Sequence, residues 1–190
     1  MKESYSGNSL KSGLKILIQN QPYEILFSEF IKPGKGQAFV RIKLKQLLTG
    51  KLFHQTVKAT DIFYSADITE INVSYLYNNG LNWIFMCKKN FEHIYVLKKF
   101  LFGCEKWLTN TSNCIIMLWN SSPISVYIEN FIQLKVIDFN VAVQGDTVNS
   151  SSKSVTLETG AKVRVPLFIK KGDYIKIDTR IGKYISRVNK

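Results

Sequence analysis

The sequence predicts an all-β protein built as three small barrels. Apolar and polar residues alternate with a period of two through most of the chain. Turn signals rich in Asn, Gly, Pro and Ser separate the alternating runs. At 190 residues the chain is long for one small barrel and comfortable for two or three. Hydrophobic residues make up 45% and charged residues 21%, a composition that folds rather than staying disordered.

The first third, residues 1–65, opens its alternation at Leu14-Lys15-Ile16-Leu17-Ile18. Asn20-Gln21-Pro22 reads as the turn into Tyr23-Glu24-Ile25-Leu26-Phe27. From Ala38 to Lys45, Arg41, Lys43 and Lys45 alternate with Val40, Ile42 and Leu44, which predicts a half-buried strand with one basic face. Leu47-Leu48-Thr49-Gly50 closes that strand, and Gln55 to Lys58 forms the next.

The middle third, residues 66–128, has a run in which Ile71, Val73, Tyr75 and Tyr77 share one side. Asn78-Asn79-Gly80 follows as a hairpin signal, because Asn and Gly tolerate positive φ. Trp83 to Met86 returns the strand, Val96 to Thr109 is helix or loop, and Cys114 to Trp119 is a further strand before a turn at Asn120-Ser121-Ser122-Pro123. In the last third, residues 129–190, the strands are Phe131–Val136, Ala161–Pro166, Tyr174–Asp178 and Tyr184–Val188. A polar loop runs from Gln144 to Lys153, and Lys171-Gly172-Asp173 turns the chain.

Charge narrows the function. The net charge is +12, and surplus base favours a polyanionic partner. Residues 1–64 carry 10 Lys and Arg against 4 Asp and Glu, a net +6. Residues 65–128 carry 5 against 4, a net +1, and residues 129–190 carry 11 against 6, a net +5. The base therefore sits at the two ends. No apolar run reaches about 18 residues, so no membrane helix is expected. The N-terminus has no apolar signal core, and the expected location is the cytoplasm.

Enzyme and metal signatures are missing. Cys87, Cys104 and Cys114 form no C-x-x-C pair and read as buried or half-buried thiols. His54 and His93 have no ligand partner at zinc spacing. Gly34-Lys35-Gly36 is not a P-loop, because the upstream glycine and the following Ser or Thr are absent. No catalytic residue, metal or cofactor is expected.

What stands out is Lys32-Pro33-Gly34-Lys35-Gly36-Gln37. Pro33 fixes φ and the glycines remove bulk, so a narrow loop tip would carry one long cationic side chain. Such a tip can enter a confined anionic place, and its amine is open to a modifying enzyme. An ordinary hairpin turn with a solvated lysine is the competing reading.

The run Ser28 to Phe39, followed by Leu47-Leu48-Thr49-Gly50, resembles bacterial translation elongation factor P. The middle agrees at Tyr75-Leu76-Tyr77-Asn78 and at Leu118-Trp119-Asn120 before Pro123-Ile124-Ser125-Val126. The end agrees at Gly145-Asp146-Thr147, Thr159-Gly160-Ala161, Val165-Pro166-Leu167-Phe168, Ile177-Asp178-Thr179-Arg180 and Tyr184 to Val188. These motifs run from about residue 5 to the C-terminus in the family's order.

The resemblance implies an SH3-like (KOW-like) barrel followed by two OB-fold barrels in an L-shaped, tRNA-like arrangement. It implies a monomeric factor that binds both ribosomal subunits between the P and E sites, touches the P-site peptidyl-tRNA and relieves stalling at consecutive prolines. It implies that Lys35 receives a β-lysyl group from a lysyl-transferring enzyme, with hydroxylation as a further step, and that Lys32, Pro33, Gly34, Gly36 and Gln37 support it. Gly145, Asp146 and Thr147 match a loop near the E-site codon of the mRNA. Tyr184 and Arg187 match residues near tRNA or small-subunit RNA. The strand pattern alone adds Arg41, Lys43 and Lys45 as contacts to tRNA phosphate, with a merely solvated face as the alternative. The chain departs from the family between Cys87 and Cys104, at Val155 and at Tyr127-Ile128-Glu129. A general OB-fold RNA-binding protein is the alternative function.

Overall fold

The computed structural model describes residues 3–110, 112–139 and 152–188. Within them the chain is all-β, with three curled sheets and a few single-turn 3-10 segments. It divides into two compact units, one of residues 1–71 with 116–126, the other of 72–115 with 127–190. Among the described residues no helix is long and apolar enough to cross a membrane.

The first sheet has six strands: β1 (Ser4–Ser6), β2 (Lys15–Ile18), β3 (Gln21–Ile31), β4 (Phe39–Gln46), β5 (Leu52–Lys58) and β6 (Ile62–Ser65). Their order is β1-β6-β2-β3-β4-β5. Alternation does what the sequence predicts on β4: Val40, Ile42 and Leu44 are buried while Arg41 is exposed and Lys43 and Lys45 are half-buried. The buried set joins Leu10, Ile16, Ile25 and Val57 in one core. Each such side chain contributes about 1.5–3 kcal/mol through its removal from water. The chain after β1 closes against the far end of the sheet, with the Gly7 and Asn8 amides donating to the Asp61 and Ala59 carbonyls at 2.8 and 3.1 Å. A Cβ on Gly7 would stand 2.2 Å from the Lys58 carbonyl oxygen, so this approach requires glycine.

The second sheet contains β7 (Ile68–Asn78), β8 (Asn82–Cys87), β9 (His93–Leu97), β10 (Asn113–Trp119) and β11 (Ser122–Ile128), in the order β11-β10-β7-β8-β9. The Asn78–Gly80 turn forms as expected. The Asn78 and Asn79 side-chain oxygens accept the Gly80 and Asn82 amides at 2.7 and 2.8 Å, and Gly80 takes φ 92°. Tyr77 does not share the buried side of Val73 and Tyr75. The register jumps from Tyr75↔Phe85 to Tyr77↔Ile84, leaving Leu76 as an extra residue, and Tyr77 is turned outward. The ambiguous segment Val96–Thr109 is strand to Leu97, then two 3-10 turns, Lys98–Phe100 and Cys104–Trp107. Phe102 and Gly103 between them have φ 48° and 87°, which no α-helix accommodates.

The third sheet contains β12 (Phe131–Phe139), β13 (Ser152–Leu157), β14 (Lys162–Pro166), β15 (Tyr174–Asp178) and β16 (Lys183–Val188), in the order β14-β13-β12-β15-β16. Leu134, Val136, Leu157, Val163, Ile175 and Ile177 fill its core, and Trp107 packs with them.

Candidate nucleic-acid interface

The Lys35 loop is the gap in the β3–β4 ladder. The last paired residues are Ile31 and Phe39, and seven residues connect them. The outgoing stem is held where the Ala59 amide donates to the Ala38 carbonyl at 3.1 Å. Pro33 is half-buried; Lys32, Gly34, Lys35, Gly36 and Gln37 are exposed. Gly36 has φ +112°, a conformation side chains disfavour, and the Pro33 ring lies 3.7 Å from where its Cβ would be. Lys35 takes part in none of the ion pairs among the described residues. The arrangement presents a bare ammonium on a slim support. It does not desolvate the amine, as a Schiff-base lysine requires.

Arg41, Lys43 and Lys45 stand on the outer side of β4, behind the loop. Arg41 places its guanidinium 5.8 Å from the Phe39 ring centre. Phe27, Glu29, Arg41, Lys43, His54 and Thr56 line a groove of about 390 Å³ on this face. Sequence reasoning missed Phe27, because simple alternation would turn it inward with Ile25. Here Ile25 pairs with Leu44 but Phe27 pairs with Lys43, so Leu26 is a bulge and Phe27 is 55% exposed.

Tyr184 and Arg187 both lie on β16. A bulge at Ile185 pairs Tyr184 with Ile177, and Tyr184 packs partly buried on the third-sheet core. Arg187 lies 3.9 Å from the Asp173 carboxylate and 6.0 Å from the Phe168 ring centre. Gly145, Asp146 and Thr147 lie outside the described residues. Just after β15, Arg180 grips the buried Asp178 carboxylate through Nε at 3.0 Å and Nη2 at 2.6 Å, and its guanidinium sits 5.4 Å from the Phe131 ring centre. Lys176 approaches the same ring at 5.1 Å. A second cleft of about 340 Å³ is lined by Asn110, Ser112, Glu129 and Gln133 among others, with no lysine or arginine among its described lining residues.

The thiols are placed for packing. Cys87 and Cys114 are buried, and Cys104 is half-buried. Burial pushes the Cys104 and Cys114 thiols up to about 12, so both stay protonated and unreactive near neutral pH. Among the described residues no group of His, Cys, Asp and Glu is placed to hold a metal ion.

Comparison with known proteins follows the same order along the chain. Residues 6–63 match the elongation factor P KOW-like domain, 68–126 the elongation factor P OB domain, and 132–187 the elongation factor P C-terminal domain. In fold, the chain is similar to the eukaryotic translation initiation factor 5A from Methanococcus jannaschii, at 18% identity and a TM-score of 0.55, over 67% of this chain and 95% of that one. A translation initiation factor eif-5a family protein from Naegleria fowleri is similar at 17% identity and a TM-score of 0.50, over 67% of this chain and 99% of that one. With all three domains present in order, the chain belongs to the elongation factor P family, whose members are translation factors and not enzymes.

Proposed function

We propose that this translation factor binds the ribosome between the P and E sites, in contact with both subunits, and promotes peptide-bond formation at consecutive prolines. It works as a monomer in the cytoplasm and needs no cofactor. Its three barrels are residues 1–65, 66–128 and 129–190. The observation that carries the reading is the seven-residue loop with exposed Lys35 on a glycine-narrowed tip. A slim cationic arm of this kind can reach the acceptor end of the peptidyl-tRNA and pair with its phosphates and ribose oxygens. Proline is a rigid, poor nucleophile, so holding the tRNA in a reactive geometry accelerates the step without side-chain chemistry from the factor.

Lys35 is also the acceptor of a β-lysyl group from a lysyl-transferring enzyme, with hydroxylation as a further step. Its exposed amine, flanked by small residues, is accessible to such an enzyme. Arg41, Lys43 and Lys45 supply phosphate contacts. Gly145, Asp146 and Thr147 meet the E-site codon, and Tyr184 and Arg187 approach RNA from β16.

A reconstituted translation assay with a three-proline reporter tests the reading. Lys35→Ala should lower stimulation by about tenfold or more, the scale expected when positioning fails, while a reporter without proline runs is unaffected. Full stimulation by Lys35→Ala would sink this function and leave a general RNA-binding OB-fold protein. Mass spectrometry of the protein from its own host then reads the modification, as one added lysyl unit at Lys35.

A further inference from the structure

The outer face of β3, β4 and β5 carries more than charge. In register, Phe27 stands beside Lys43 and Lys43 beside His54, while Glu29 stands beside Arg41 and Arg41 beside Thr56. These six side chains surround the groove of about 390 Å³. Glu29, Lys43 and His54 join no ion pair among the described residues. Phe27 is 55% exposed, put there by the Leu26 bulge.

A face that only neutralised phosphate would gain nothing from an aromatic ring. A ring beside two cations suits a nucleotide, because a base stacks on the ring while the backbone meets the cations. The charge of this part of the chain, net +6 over residues 1–64, matches RNA rather than a basic or neutral partner. Arg41 and Lys43 lie two and four residues beyond Phe39 at the loop base, about 7 and 13 Å along the strand.

We propose that this groove holds one unpaired RNA nucleotide, its base against Phe27, its phosphate between Arg41 and Lys43, and its base edge facing Glu29 and His54. The identity of that RNA as ribosome-bound tRNA rests on the function proposed above; the groove itself does not.

The test uses the full chain, a fluorescently labelled single-stranded RNA hexamer, and the same backbone with abasic sites. Phe27→Leu should weaken binding of the hexamer about tenfold, leave abasic binding unchanged, and leave the unfolding curve in place. Phe27→Tyr should restore affinity. Arg41→Gln with Lys43→Gln should weaken both ligands and lower the slope of log affinity against log salt by about 0.7 for each phosphate no longer neutralised. Equal affinity for hexamer and abasic strand would overturn the groove and leave a plain phosphate patch. So would a Phe27→Leu protein that binds the hexamer with unchanged affinity. Phe27-dependent RNA binding combined with full proline rescue by Lys35→Ala would overturn the ribosomal role and leave the groove standing.

Discussion

Gly34 and Gly36 flank Lys35 symmetrically in sequence, yet the structure gives them different tasks. Gly36 takes φ +112°, whereas Gly34 has no positive φ and a Cβ added there meets nothing within 4 Å. Gly36→Ala should therefore cost about 1–3 kcal/mol of backbone strain in the loop, and Gly34→Ala should leave stability unchanged. Denaturant unfolding checks both. On the function proposed above, a stable Gly34→Ala protein that fails to rescue proline runs would show that the tip, when bound, tolerates no added width. Asp178 is the second informative residue. It is 5% exposed and accepts the Arg180 side chain and the Arg180 amide. The Arg180 hydrogen bond holds its carboxyl below the usual value. A lowered folded-state value means the charged form favours folding, so the contribution is full above the unfolded value near 4 and fades as pH falls through the folded value. Asp178→Asn should be less stable than the native protein at pH 7, and the gap should narrow at pH 3. Urea titrations at the two pH values read this directly, and a gap independent of pH would refute it.

Two hairpins show how elements depart from their apparent signals. The sequence marks turns at Asn20-Gln21-Pro22 and at Asn120-Ser121-Ser122-Pro123. In the structure the turning residues are Gln19-Asn20 (φ 50° and 59°) and Asn120-Ser121 (φ 47° and 65°). Pro22 and Pro123 are each the second residue of the next strand. Proline cannot donate to a ladder, so it marks a strand's entry rather than the bend. Left-handed Ser121 is strained, and Asn-Gly is the favoured pair for such a turn. Ser121→Gly should stabilise the protein by about 0.5–1 kcal/mol, measured as a higher unfolding midpoint. The bulges at Leu26 and Leu76 were not legible at all. Alternation predicts which residues share a face, but an extra unpaired residue depends on what the partner strand allows. Each bulge turned an aromatic residue, Phe27 or Tyr77, to the outside.

For the whole molecule, the net charge of +12 sets how it meets a polyanion. If about six to ten phosphates are contacted on the ribosome, affinity should fall by roughly 10³–10⁵-fold between about 50 and 200 mM salt. Cosedimentation with ribosomes across that range measures the slope, and a flat response would mean that the basic ends do not carry the binding. The charge was readable from composition, and the motifs that resemble the family were readable in the sequence in the order the three matching domains follow. Phe27 was unreadable as part of a basic face because its orientation comes from a long-range pairing.

Alternation, turn residues and motif order determined the all-β class, the basic strand face and the Lys35 loop from the sequence alone. These are local properties, set by side-chain polarity and by which residues accept a given φ. The tertiary structure decided that Gly36 rather than Gly34 bears the loop's conformation, that Tyr184 packs against a core, and that Phe27 joins Arg41, Lys43 and His54 around a groove. Tyr184 and Phe27 depend on the register between neighbouring strands, where a shift of one residue reverses every face, and Gly36 depends on the path the loop takes between its anchored ends.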